Sequence, residues 1–232
     1  MIAIISDVHG NYPALQAVLS EATRLGCRRV ISLGDVTGYY AEPDKCIDLL
    51  LKWQAIQLLG NHDEYLVEGS GCPRSRLVTS LLEHQAKVVR DDQLKVLSEL
   101  SSFYEEGNAC FVHGGWEDNR DEYLYKVSSF NLYGSWKFYF SGHTHVQTLA
   151  FFKDKIYCNP GSVGQPRDGD PRAAFAIFDG VSISLKRVTY DIEKTIEAMR
   201  TAGYTESKLW DNLYVGAQIG GRIDKIEIIK DL

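Results

Sequence analysis

The stretch Ile2–Asn11, IAIISDVHGN, sets an unbroken apolar run directly before a carboxylate and an imidazole that stand two residues apart. Four consecutive apolar residues halted by Ser6 and Asp7 read as a strand buried on both faces, as in the parallel sheets of α/β proteins. Polar side chains released from such a strand lie where open α/β sheets bind ligands, beyond the carboxyl ends. The same grammar continues downstream. Residues 13–25 read as a helix opened by Pro13, RRVISLGD (28–35) as a second strand and residues 43–53 as a second helix. AIQLLGN (55–61) reads as a third strand, and residues 74–100 as a helical region broken near Asp91.

After residue 107 the pattern changes. NACFVHGG (108–115), KFYFSGH (137–143), TLAFFKDK (148–155), KIYCNPGS (155–162), AAFAIFDG (173–180) and SISLKRVTY (182–190) are closely spaced strands joined by turn residues. Two sheets packed face to face with helices outside would bury both sets. The expected fold is therefore α/β, a four-layer αββα sandwich of two mixed sheets, formed as one domain over residues 1–232. A helix is expected from Asp191 to Gly203, a short one near residues 207–215, and a terminal loop in GAQIGGR (216–222).

With 232 residues, 44% hydrophobic and 24% charged, the chain has ordinary globular composition, which excludes collagen, coiled coil and disorder. A net charge of -6 argues against a basic surface laid along nucleic acid, so a long nucleic acid substrate is not expected. Five scattered cysteines without a CxxC pair suggest neither a disulfide framework nor a thiolate metal site. Met1 passes straight into the first strand, and no apolar run is long enough to span a bilayer, so a cytoplasmic location without membrane association is expected.

Five of the six histidines follow expected strands. Asp7 and His9 follow the first, Asp35 the second, Asn61, His62 and Asp63 the third, then His113, then His143 and His145. Each segment alone reads as a polar turn, with Gly and Asn accepting unusual backbone angles and Asp capping a helix. Together they concentrate imidazole and carboxylate at successive strand ends. His84, on a helical seam with Leu77, Leu81 and Val88, reads as structural. Carboxylate, imidazole and amide oxygen without thiolate suit Mn²⁺, Fe²⁺, Zn²⁺, Ni²⁺ or Co²⁺ better than Mg²⁺. There are too many ligands for one tetrahedral ion; two ions about 3.5–4 Å apart, sharing a carboxylate, are the usual device for hydrolysing phosphate esters.

The ordered series DxH, GDxxG, GNHD, HGG and GHTH, running from Asp7 to His145 and continued by NPGSVGQPRDGDPRAAFAIFD (159–179), resembles the calcineurin-like metallophosphoesterase superfamily. The resemblance implies a two-sheet sandwich carrying two divalent ions. Carried over position by position, Asp7, His9, Asp35 and His145 would hold one ion, with Asp35 bridging to a second held by Asn61, His113 and His143. His62 matches the family's non-ligand histidine, which contacts the phosphate and protonates the leaving group, while a metal-bridging hydroxide attacks phosphorus. Protein Ser/Thr phosphatases of the superfamily extend the second motif to GDxxDRG and follow the third with an arginine. Here GDVTGYY puts Gly38 where their histidine-orienting acid stands, and both arginines are missing, which weighs against a protein phosphatase.

Asn159 and Arg167 are candidates for substrate binding, with a Gly- and Pro-rich structural turn as the alternative. Tyr39, Tyr40, Trp116, Arg120, Tyr123 and Tyr125 follow the motifs and either stack on substrate or pack their loops. Asn11 is either a helix cap or a support to the ligands. The expected function is metal-dependent hydrolysis of a small phosphodiester or nucleotide-like ester. A phosphomonoesterase, a dinucleoside polyphosphate hydrolase and a protein phosphatase are the enzymatic alternatives. The filled ligand positions argue against a noncatalytic scaffold.

Overall fold

The computed structural model describes residues 1–230. Strand β1, Ile2–Ile5, is apolar throughout because both its faces are covered: Ala3 and Ile5 pack under helices, whereas Ile4 faces a second sheet. From it the chain runs through α1 (Tyr12–Arg24), β2 (Arg29–Ser32), α2 (Pro43–Lys52) and β3 (Ile56–Gln57). Asn11 is the cap of α1, its side-chain oxygen accepting from the backbone N–H of Ala14 at 3.3 Å while its amide donates to the carbonyl of Gly164 at 2.8 Å. Proline opens both α1 and α2, where its missing N–H leaves no bond unmade.

Next come α3 (Asn61–Glu68), α4 (Arg76–Gln85), α5 (Asp91–Ser98), β4 (Phe103–Glu106), β5 (Ala109–Val112) and β6 (Lys126–Val127). The chain then forms β7 (Phe138–Phe140), β8 (Thr148–Phe151), β9 (Ile156–Asn159), β10 (Ala173–Phe178), β11 (Ile183–Val188), α6 (Ile192–Thr201) and β12 (Glu227–Ile228). The expected break near Asp91 separates α4 from α5. GNHD differs from expectation: Gly60 precedes α3, and Asn61, His62 and Asp63 are its first turn rather than the tail of a strand. The expected short helix near residues 207–215 is two 3₁₀ turns, Ser207–Leu209 and Asp211–Tyr214.

Two five-stranded mixed sheets, ordered β11-β10-β1-β2-β3 and β4-β5-β7-β9-β8, pack face to face and are flanked by helices. Between them Ile4, Ile31, Leu33, Phe111, Phe138, Phe140, Ala176 and Phe178 form one apolar layer. Helices α1 and α2 cover the other face of the first sheet through Leu15, Val18, Ile47 and Leu50. On the outer face of the second sheet, Cys110, Tyr139 and Tyr157 pack against Leu124, Val127 and Leu132, where β6 pairs in parallel with β12. Strands β1, β2 and β3 are mutually parallel, as are β5, β7 and β9. The loops leaving β1, β2, β3, β5 and β7 carry the clustered polar side chains. Among the described residues no helix is long and apolar enough to cross a membrane.

Candidate metal centre

The polar side chains after these strands converge. His9 Nδ1 donates to the carbonyl of Thr37 at 2.7 Å and His145 Nδ1 to that of Gln165 at 2.7 Å. A carbonyl only accepts, so these contacts place the proton on Nδ1 and leave Nε2 of each neutral ring with a bare lone pair. Those two Nε2 atoms lie 3.1 Å apart. Two nitrogens that each stand about 2.1 Å from a single ion, at roughly a right angle, are separated by about this distance. Asp7 Oδ1 lies 3.2 Å from His145 Nε2 and 3.8 Å from His9 Nε2.

A second group adjoins the first. His113 Nδ1 donates to the carbonyl of Leu33 at 3.1 Å, which turns its Nε2 toward Asn61 Oδ1 and His143 Nδ1, each 3.2 Å away, and toward Asp35 Oδ2 at 3.3 Å. Asp35 Oδ2 is also 3.8 Å from His9 Nε2, so it stands between the two groups. Asp35 Oδ1 accepts the backbone N–H of His62 at 2.9 Å. Asp7 Oδ1 and Asp35 Oδ2 are buried without a hydrogen-bond partner. Leaving two carboxylate oxygens so is costly unless a cation completes them. Asp7, His9 and His145 form one candidate metal-binding cluster, and Asp35, His113 and His143 another; His62 shares a third with His9 and Asp35.

The electrostatics divide the histidines. Burial pushes His9 well below its usual range and lowers His143 and His145, keeping them in the neutral form that ligates. For Asp35, burial alone would raise the carboxyl, but His113, His62 and His9 hold it well below the usual carboxylate range. His113 differs: burial opposes the charged ring, but Asp35 and Asp7 raise it to about 9, so its Nε2 carries a proton that a bound cation would displace. The backbone is strained at the same residues. Asp7, His9, Asp35, His143 and His145 all have φ between 53° and 63°, and among the described residues only Gln54 otherwise joins them without being glycine. Left-handed backbone at such side chains costs of order 1–3 kcal/mol each and is characteristic of functional sites.

No carboxylate lies within hydrogen-bond reach of the His62 ring among the described residues. The ring packs edge-on against His9 at 4.8 Å between centroids and at a tilt against Tyr39 at 5.2 Å, with Nδ1 unpartnered and Nε2 4.0 Å from Asp35 Oδ2. Burial pushes it down to about 4. Asp63 turns away, accepting the N–H groups of Asp35 (2.8 Å), Thr37 (2.9 Å) and Gly60 (3.3 Å) and thereby tying the loop after β2 to the start of α3. Gln85 of α4 holds the same loop, accepting from the N–H of Gly38 and donating to the carbonyl of Tyr40. At Gly38, φ is 138°, and a Cβ would come within 2.3 Å of His9 Nδ1 and 2.7 Å of His62 Nδ1. No side chain fits at position 38 without displacing these rings. Gly38→Ala is therefore expected to cost about 1–3 kcal/mol of stability and roughly tenfold or more in turnover, checked by denaturant melts and steady-state kinetics.

The remaining candidates divide. Arg167, 5% exposed, donates to the Tyr39 hydroxyl and to Gln165 Oε1 beside the centre. Asn159 is fully buried, and its amide is used on the carbonyl of Gly142, on Thr144 Oγ1 and on the N–H of Gly161, so it shapes the GHTH turn. Tyr39, Tyr123 and Tyr125 line a cavity next to the centre; Tyr40 and Trp116 pack in hydrophobic clusters, and Arg120 pairs with Glu64. Sequence reasoning missed Arg74, Gln165, Gln218 and Arg222, which line the same cavity. His84 lies against the Tyr204 ring at 4.6 Å, apart from the site.

A two-sheet sandwich with imidazoles and carboxylates gathered at its strand ends defines a metallophosphoesterase-type protein. Residues 1–182 match the calcineurin-like phosphoesterase superfamily domain, and the chain belongs to that superfamily. It is 32% identical over 220 residues to the uncharacterized protein MJ0912 of Methanocaldococcus jannaschii, covering 85% of this chain and 90% of that one. The crystal structure of a metallophosphoesterase from Sphaerobacter thermophilus superposes with a TM-score of 0.80 at 33% identity, covering 93% of this chain and 99% of the other. The hypothetical protein PH1004 of Pyrococcus horikoshii OT3 shares the fold with a TM-score of 0.80 at 16% identity, over 94% of this chain and 100% of its own.

Proposed function

We propose that the protein is a dinuclear metal-dependent phosphoesterase acting on a small phosphodiester or nucleotide-like ester. The observation that carries this reading is the pair of buried carboxylate oxygens without a hydrogen-bond partner, Asp7 Oδ1 and Asp35 Oδ2, lying 3.2 Å from His145 Nε2 and 3.3 Å from His113 Nε2. Asp7, His9, Asp35 and His145 would hold one divalent ion; Asp35, Asn61, His113 and His143 would hold the other, drawn from Mn, Fe, Zn, Ni or Co. When bound, such ions supply an acidified water as nucleophile and neutralise charge on the phosphate oxygens. The chain's own contributions are distinct. Strand ends and strained backbone fix the ligands, the backbone carbonyls of Thr37, Gln165 and Leu33 set the tautomers of His9, His145 and His113, and Arg167 places a positive charge beside the bound ester. His62 donates a proton to the departing oxygen.

The test joins metal analysis of the purified protein to a panel of aryl phosphodiester, aryl phosphomonoester, cyclic nucleotide, dinucleoside polyphosphate and phosphopeptide with several divalent ions. About two metal equivalents per chain and chelator-sensitive turnover, highest on a diester, are expected. Absence of metal-dependent hydrolysis across the panel overturns the proposal.

A further inference from the structure

Beside the centre lies a cavity of about 360 Å³ whose wall includes Tyr39, Tyr123, Tyr125, Arg74, Arg167 and Arg222. It adjoins the ligands directly: the Tyr123 ring centroid is 3.8 Å from that of His143, and the Tyr39 centroid is 4.7 Å from that of His9. Three arginines line it and, among the described residues, no carboxylate does. Arg74 and Arg222 are each tied to an acid, Asp121 and Asp224. Arg167 differs, because among the described residues its guanidinium donates only to Gln165 and Tyr39. Guanidinium stays charged even when buried, so a group in this position favours an anion in the cavity.

The outer wall comes from beyond the family-matched region. Gln218, Ile219 and Arg222 belong to the 216–222 loop, whereas the match ends at residue 182. This loop is anchored, not loose: the N–H of Asp224 donates to the carbonyl of Arg167 at 2.7 Å, and that of Gly169 to the carbonyl of Gly216 at 2.9 Å. Asn212 reaches the Tyr40 hydroxyl at 3.4 Å, and β12 pairs with β6.

We infer that this cavity binds a second anionic group of the substrate, so that the ester hydrolysed carries a further phosphoryl group, as a dinucleoside polyphosphate does. The inference rests on the phosphoesterase reading and extends it. A volume of this size falls among those of small-molecule sites and exceeds what one phosphate on the ions requires. The Nη1/Nη2 edge of Arg222 can meet phosphate oxygens bidentately, and Nη1 of Arg167 can donate a further hydrogen bond, since their other guanidinium N–H groups are held by Asp224, Gln165 and Tyr39. Tyr123 and Tyr125, stacked with their planes 7° apart, form an aromatic wall for the organic part.

The experiment compares the metal-loaded protein on a dinucleoside monophosphate, a dinucleoside triphosphate and a dinucleoside tetraphosphate, with bis(4-nitrophenyl) phosphate in parallel. The polyphosphates should show at least about tenfold higher kcat/KM than the monophosphate, and Arg222→Gln should shrink that ratio about tenfold, the loss expected for a charge-assisted hydrogen bond. Calorimetric titration of metal-free protein with inorganic pyrophosphate should show about tenfold weaker binding to the same variant. Equal rates on mono- and polyphosphates, or a preference that survives Arg222→Gln, overturn the second-anion site while leaving the phosphoesterase reading intact. Failure to hydrolyse any of these esters, the aryl diester included, overturns that reading instead. In that event absence of pyrophosphate binding also overturns the cavity assignment.

Discussion

Asp35→Asn is expected to leave a folded protein that holds at most one of two metal equivalents and loses about 10³-fold or more in kcat/KM, which is about 4 kcal/mol of transition-state stabilisation. Asparagine matches aspartate in shape, and its side-chain oxygen can still accept the N–H of His62, the bond that Asp35 Oδ1 makes at 2.9 Å. The difference falls on the other atom. Oδ2 stands between His113 at 3.3 Å and His9 at 3.8 Å without a hydrogen-bond partner of its own. In the variant an amide N–H₂ occupies that point, a donor with no negative charge where two cations require one. Elemental analysis reads the metal content, and melts with and without Mn²⁺ read binding independently of turnover. Each bound ion should add about 2.7 kcal/mol at a hundredfold excess over its dissociation constant, so the variant should gain at most about half of what wild-type protein gains. Full metal content with unchanged turnover would refute the bridging role.

The framework of this site is readable from the sequence because strands buried on both faces leave continuous apolar runs, and the polar residue that ends each run is the one delivered to the sheet edge. Ile2–Ile5 followed by Asp7 and His9 is such a case, as is Phe138–Phe140 followed by His143 and His145. GNHD was less transparent. Its Asn61, His62 and Asp63 begin a helix whose first turn is held by Asp63 reaching back to Gly60, and that contact looks like any tight turn until the loop after β2 is in place. Strands β6 and β12 have only two residues each, too short to show a period, and exist through their partners. The roles of Asn159 and Arg167 were open for a related reason. Both sit in one polar turn, and only the fold sends the first inward to the GHTH backbone and the second toward the cavity. Arg222 is more distant still in sequence, in a stretch whose glycines signal a loop but not what the loop covers.

His62→Asn is expected to lower kcat about 10²–10³-fold while leaving two metal equivalents in place, the range in which a positioned general acid contributes. His62 is 6% exposed, the most open of the site histidines, whereas His9 and His113 are fully enclosed. Asp35 holds the His62 backbone N–H, while the ring is set by those of His9 and Tyr39 and by the bare backbone of Gly38. Burial holds it down to about 4, so the ring is neutral at neutral pH in the metal-free protein. An anionic ester beside it opposes that shift and favours the protonated ring, which places the proton where the substrate is. The loss in the variant should therefore depend on the departing group. An alkyl alkoxide needs the proton and should show the full effect, whereas 4-nitrophenolate departs readily without it and should show a loss roughly tenfold smaller. Steady-state kinetics on a paired alkyl and aryl diester, with metal analysis of the same samples, separates three roles. Unequal losses at constant metal identify the proton donor, equal losses at constant metal indicate charge stabilisation alone, and a fall in metal content would make His62 a ligand.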